Sequence, residues 1–372
     1  MPTDHTFDKL VKIDKKLETA ADIAMRDVLK TKKGESVLII TNPDEDVATI
    51  SYALYNSALK LKAKPTLVFQ DVKTQLDLAE DAVIKAIESK PDIAISISKE
   101  KLGKDKKRLE KPLYGKYNHY FEYLLATKKM RSFWSPSITL EMFKKTVPID
   151  YKTLRKRADA LKKLFDKATE CHITAPGGTD VIIGLKGRKG FLDDGNFSKP
   201  GTGGNLPCGE MFISPALGAS SGIIAFDGSI SSDRGEIIIK KPIKCHVKKG
   251  FITRIEGGKE AKALEDTIKR AEKTIKQFVK DGKIPKKEEK SYIKNAKNLG
   301  ELGIGLNEKA QIVGNMLEDE KVFKTCHIAV GSNYDNDANS LIHLDGLINK
   351  PTMTLKVGGK DKLVMKNGNI LV

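Results

Sequence analysis

The chain has 372 residues, of which 40% are hydrophobic and 31% charged, and a formal net charge of +17 at pH 7. This length suggests two domains, and the composition is that of a globular protein, not a disordered or collagen-like one. No apolar run approaches the ~20 residues that span a bilayer, and the N-terminal MPTDHTFDKL lacks the apolar centre of a signal peptide, so no membrane partner and a cytoplasmic location are expected. The positive charge comes mainly from Lys spread along the whole length, which marks a solvated surface and disfavours a nucleic-acid partner.

In chain order, apolar spacing predicts a helix over Ala20–Leu29, closed by Gly34, and then a short apolar strand over Ser36–Ile40 that runs into Asn42-Pro43-Asp44 as a helix cap. A helix over Asp46–Leu61, a strand over Pro65–Phe69, a helix over Leu76–Glu88 and a strand over Asp92–Ile97 repeat the unit. Alternating β and α elements with short connections imply a parallel sheet flanked by helices, so residues 1–150 are expected to form an α/β domain. Tyr114, Tyr117, Tyr120 and Tyr123 fall at or near helical spacing in a basic region and are expected to face the sheet, not stack on bases. A further basic helix is expected over Met142–Ala168.

From Cys171 the texture changes, and residues 151–372 are expected to form a mixed α+β domain. Strands are expected over Thr174–Asp180, Val181–Gly184, Ile223–Phe226, Gly235–Ile239 and Phe251–Ile255, helices over Lys259–Asp281 and Lys287–Asn298, and a hairpin over Thr352–Val372. The Gly-rich stretch up to Gly204 matches neither GxxxxGK[ST] nor GxGxxG, which disfavours a phosphate cradle. Four Cys form no CxxC pair, so no zinc ribbon is indicated. In Cys171-His172 and Cys245-His246 a strand would send neighbours to opposite faces, so each is expected to be a buried Cys beside an independent His.

The chemistry is concentrated in four motifs of the second half. NLPCGEMFISP carries Glu210 and NLGELGIG carries Glu301, each an acid among Gly and apolar residues, where a carboxylate needs a partner or a ligand. EDE carries Glu318 and Glu320, and TCHIAVGSNYDNDANSLIHLDGLI carries His327, His343 and Asp345. In His343-Leu344-Asp345 an extended backbone turns both polar side chains to one face. Two imidazoles with several isolated acids, and no thiolate, suit Zn, Co or Mn, and fit a pair of ions sharing a bridging water.

NLPCGEMFISP, GELGIG, DEKVFKTCHIAVGSNY and SLIHLDGLI, in this order, resemble the signature segments of the thermophilic aminopeptidases, the M29 metallopeptidases. The resemblance implies a mixed α+β metallopeptidase domain, two divalent ions held by Glu210, Glu301, Glu320, His327, His343 and Asp345, and Tyr334 as a catalytic tyrosine. Glu318 is the substitute for Glu320. It further implies an exopeptidase acting on short peptides, Glu301 as bridging ligand or base, and a homodimer. One alternative uses His327, His343 and Asp345 alone: two His and a carboxylate are the ligand set of mononuclear Fe(II) oxygenases, and a ring-cleaving dioxygenase of dihydroxypyridine type resembles the same fold. A second alternative is a non-catalytic basic binding protein.

Overall fold

The computed structural model describes residues 11–74, 77–107 and 127–372. It is a mixed α/β protein with one parallel and two antiparallel sheets, as the element pattern implied. Two compact units divide the chain: one from the described residues up to Tyr151 with Gly195–Cys208, the other from Lys152–Asp194 and Gly209–Val372.

The first unit holds a five-stranded parallel sheet in the order Lys64–Phe69, Ser36–Thr41, Ile93–Ser98, Arg131–Pro136, Gly203–Asn205. Ile93–Ser98 is buried along its whole length, the pattern of a parallel strand covered on both faces. Asp44 caps the Glu45–Lys60 helix by accepting from the Val47 N–H. The helix expected from Leu76 begins only at Asp81. Upstream N–H groups are spent elsewhere, Ala79 donating to the Lys104 carbonyl (3.0 Å) and Glu80 to Gln70 Oε1 (3.1 Å). The tyrosine series at 114–123 lies outside the described residues. The long helix expected over Met142–Ala168 is two helices, Leu140–Thr146 and Tyr151–Phe165, because Pro148 has no N–H to continue the ladder.

The second unit holds an eight-stranded and a seven-stranded sheet. The eight-stranded sheet includes Ala168–Thr174 and Asp180–Gly184, joined around the Pro-Gly-Gly turn, and the C-terminal hairpin of Thr352–Val357 with Lys360–Lys366. It also contains Ile243–Lys248, whose alternation of buried Ile243, Cys245 and Val247 with outward Lys244, His246 and Lys248 is a strand signature that the sequence reading passed over. Cys171 and Cys245 are buried, whereas His172 faces solvent beside Asp180 at 2.8 Å and His246 lies against Arg254. The Lys259–Lys280 helix packs on the strands Ile243–Lys248 and Phe251–Glu256. No helix among the described residues is long and apolar enough to cross a membrane.

The seven-stranded sheet runs in the order Ile237–Ile238, Ser229–Ile230, His343–Asn349, Thr325–Gly331, Leu299–Gly305, Glu210–Ile213, Phe191–Asp193. One face is apolar and buried, formed by Met211, Ile213, Leu302, Ile304, Ile328, Val330, Leu344 and Ile348. On that face Gly346 makes room for the ring of Phe226, which belongs to the eight-stranded sheet; a Cβ at 346 would stand 2.5 Å from it. The opposite face carries the polar residues.

A polar cluster on one face of the seven-stranded sheet

Directly opposed residues of antiparallel strands share a face, and so do alternate residues of one strand. The pairings Asp345 to Ala329 and Glu301 to Ala329 set Asp345 and Glu301 on either side of one small residue. One step along the same face His327 opposes Gly303, which opposes Phe212, and one step further Gly305 opposes Glu210, which opposes Asp193. Five adjacent strands thus each send at least one ionisable side chain to a single patch. All of it lies within the second unit.

Two backbone devices make the patch possible. The register slips by one between Leu299 and Glu301, a bulge at Gly300. Without it Glu301 would oppose Ile328 and point into the apolar face, so the bulge re-aims a carboxylate. Gly303 leaves open the space over which the His327 ring lies, since a Cβ there would be 2.0 Å from Nε2. The glycines of GELGIG are therefore clearance for an imidazole at Gly303 and for the backbone of Ser332 and Val322 at Gly300 and Gly305.

Glu301 stands between the two imidazoles, Oε1 at 3.2 Å from His327 Nε2 and Oε2 at 3.1 Å from His343 Nε2. His343 Nε2 is also 3.4 Å from Asp345 Oδ1, and its Nδ1–H donates to the Ser332 carbonyl at 2.9 Å. That second bond fixes the ring with Nε2 toward the acids, the arrangement by which ligating imidazoles are oriented. His327 is fully buried and its Nε2 is 3.4 Å from Glu210 Oε2.

The sequence-predicted residues Glu210, Glu301, Glu320, His327, His343 and Asp345 come together. Glu210, Glu301 and His327 offer donor atoms within 4.8 Å of one another, as do Glu301, His343 and Asp345, and again Glu320, His327 and Asp345. Glu318 stands apart from these groups; its Oε1 accepts from the Gln311 N–H at 2.8 Å. The neighbouring Asp319 accepts from Val313, Gly314 and Ser229, tying down a loop. Tyr334 is half exposed, its ring edge-on to His343 at 5.2 Å and against Phe212 at 5.0 Å, and Phe212 stacks on Phe191 at 5.3 Å. Arg188 pairs with Asp335 and Asp337 and so holds the loop that carries Tyr334.

Sequence reasoning missed Lys321 and Asp193. Lys321 is fully buried, and its ammonium donates to Glu210 Oε1 at 2.6 Å and to Glu320 Oε1, with Asp193 Oδ2 at 3.4 Å. The available signal was its position directly after Glu320, but on a chain with 66 Lys and Arg residues that is no signal at all.

The charges respond to one another. Burial alone would push the Lys321 amine down, but Glu210, Glu320 and Asp193 outweigh it and hold the amine well above its usual range. Burial pushes the carboxyls of Glu210, Glu320 and Asp193 up, with Lys321 pulling each back down. Burial likewise resists ionisation of Glu301, but hydrogen bonds from His327 and His343 hold it below the usual range. Nitrogen and oxygen donors alone, buried and convergent, fit a divalent cation of the first transition row. Asp345 Oδ1 and Glu210 Oε2 add to that fit: each is buried and accepts no hydrogen bond, with an imidazole nitrogen at 3.4 Å, and a buried carboxylate oxygen without a donor is expensive.

Comparison with known proteins bears on the chemistry. Residues 139–328 match the family model of NicX, 2,5-dihydroxypyridine 5,6-dioxygenase, a span that includes Glu210, Glu301, Glu320 and His327 and stops short of His343 and Asp345. A curated 2,5-dihydroxypyridine 5,6-dioxygenase of Pseudomonas putida KT2440 is 28% identical over 121 residues; the match covers 31% of this chain and only 33% of that relative. Among solved structures, 2,5-dihydroxypyridine dioxygenase from Pseudomonas putida KT2440 superimposes with a TM-score of 0.72 at 17% identity, covering 96% of this chain and 97% of the other. AmpT from Thermus thermophilus gives a TM-score of 0.65 at 18% identity over 99% and 100%.

These findings overturn the M29 assignment and, with it, the reading as a peptide-cleaving hydrolase acting on short peptides. The matching family and the curated relative are dioxygenases, and the likeness to AmpT is one of fold. The reason for the error is physical. The same acids and imidazoles on the same fold suit either chemistry, and the motifs alone do not show that Glu210 and Glu320 also face a buried ammonium.

Proposed function

The chain belongs to the 2,5-dihydroxypyridine 5,6-dioxygenase family, and from that premise we propose that it is a metal-dependent ring-cleaving dioxygenase acting on a dihydroxylated pyridine. The family match carries this reading, and Asp345, which shares one donor group with His343 and Glu301 and another with His327 and Glu320, supplies with the two imidazoles nitrogen and oxygen donors of a type that suits it. In the reaction proposed, the C5–C6 bond of the ring breaks and both atoms of dioxygen enter the product, so O2 is the whole oxidant and no external reductant is consumed.

His327, His343 and Asp345 would hold one iron(II), with Glu301 as the neighbouring carboxylate that both imidazoles face. The ion, when bound, supplies the electronic path between the electron-rich ring and dioxygen. Ser332 keeps His343 turned with Nε2 toward the acids, and Gly303 keeps space for the His327 ring. Phe191, Phe212 and Tyr334 line up as a run of aromatic rings ending at His343, a surface on which a flat heteroaromatic ring can lie. Arg188 holds the Tyr334 loop in that arrangement.

The test is oxygen uptake by the iron(II)-loaded protein on 2,5-dihydroxypyridine, run with 18O2 and mass analysis of the product. One O2 consumed per ring opened, with both labelled atoms retained and activity lost to a chelator, is the expected result. Absence of uptake by protein shown to carry iron, on this and other dihydroxypyridines, would overturn the reading.

A further inference from the structure

Lys321 sits where a second cation would be needed. Among the described residues it is the only lysine in the fully buried core, and burying an ammonium is costly unless several acceptors surround it. The ammonium donates to Glu210 Oε1 at 2.6 Å and to Glu320 Oε1, and a third carboxylate, Asp193 with Oδ2 at 3.4 Å, pairs with it by charge. These acids arrive from different places, Asp193 and Glu210 from the two outermost strands on that side of the sheet and Glu320 from the residue before Lys321. Glu210 turns its other oxygen to His327 Nε2 at 3.4 Å, so this acid meets the ammonium with one oxygen and an imidazole with the other. Glu320 likewise belongs with His327 and Asp345 in one of the clusters able to hold an ion.

We propose that Lys321 is a built-in second cation: its ammonium takes the place between Glu210, Glu320 and Asp193 that a second divalent ion would otherwise fill, and so restricts the centre to a single metal. The inference rests on the metal-dependent reading above, though not on which substrate is oxidised. A divalent ion bound to the same oxygens would have to displace the ammonium, and one bound beside it would meet its repulsion at close range in a poorly screened interior. With the ammonium in place, the acids are neutralised in part and remain oriented, and the ion held by His327, His343 and Asp345 stays alone.

Removing the charge and volume together should reopen the second place. In Lys321→Ala, equilibrium dialysis against Mn(II) with elemental analysis should give two ions per chain, against one for the parent, and the spin-coupled EPR signal of an ion pair should appear. Propylammonium, a free copy of the missing side-chain end, should compete with the second ion and return the count to one. Lys321→Asn is the companion variant should the alanine variant fail to fold, with circular dichroism as the check on both. A folded variant that still holds one ion, or a parent that holds two with Lys321 intact, overturns the proposal. Failure of the functional reading looks different: counts of one and two with no oxygen uptake by the iron-loaded parent would leave Lys321 in its role and remove the dioxygenase.

Discussion

Gly303 is the smallest residue in the site and one of the most constrained. Its hydrogen side faces the His327 ring across the pairing of Leu299–Gly305 with Thr325–Gly331, and any Cβ would overlap that ring. Gly303→Ala should swing the imidazole out of line and weaken metal binding by about 10–100-fold, comparable to loss of an orienting partner. The overpacking should cost about 1–3 kcal/mol of stability. Competition with a chromophoric chelator reads the first and urea unfolding the second; unchanged affinity in a folded variant would show that the ring needs no such clearance. The motif GELGIG was legible in the sequence as an acid among glycines, but the purpose of its glycines was not, because the sequence does not say which residue lies opposite.

At the scale of elements, the helix Lys259–Lys280 is tied to the loop between Ser229–Ile230 and Ile237–Ile238 by Asp233, which accepts from Thr267 Oγ1 at 2.8 Å and from Arg270 Nη2 at 2.6 Å. The Arg270 guanidinium beside it holds the Asp233 carboxyl down at about 2. A depressed carboxyl contributes stability that is complete above its ordinary value near 3.8 and is lost as the pH falls through about 2. Both partners are partly exposed, so the contribution is at most about 1 kcal/mol. Asp233→Asn should therefore destabilise modestly at pH 6 and less at pH 3, read by urea unfolding at both values; a difference independent of pH would mean that the ion pair is not its source. The helix itself was visible in the sequence from its long run of Lys and Glu with buried Leu264, Ile268, Ala271 and Ile275. Its anchor was not, since Asp233 and Arg270 are 37 residues apart.

For the whole molecule, metal removal is the informative perturbation. The proposed ion's donors all lie in the unit formed by Lys152–Asp194 and Gly209–Val372, and binding to the folded state alone would stabilise that state by mass action. At a free metal concentration about 100 times the dissociation constant the gain is about 2.7 kcal/mol, which raises the melting temperature of a unit this size by roughly 5–10 °C. Calorimetry with iron(II) or Mn(II), before and after chelation, checks it; a melting profile indifferent to metal would count against a resident ion.

What the sequence determined by itself was whatever local pattern controls. Alternating apolar strands and helices implied the α/β class, and period-two spacing in His343-Leu344-Asp345 set both groups on one face, because side-chain direction in a strand follows from the backbone alone. The motifs also named the residues that gather into the cluster. Tertiary structure decided which groups the acids of that cluster face. Lys321 reads as one more surface lysine until the sheet folds Glu210 and Asp193 around it. Lys321 and Glu210 are 111 residues apart in the chain and meet only in the folded sheet, and the register and bulge that aim Glu301 exist only once its strand lies beside Thr325–Gly331.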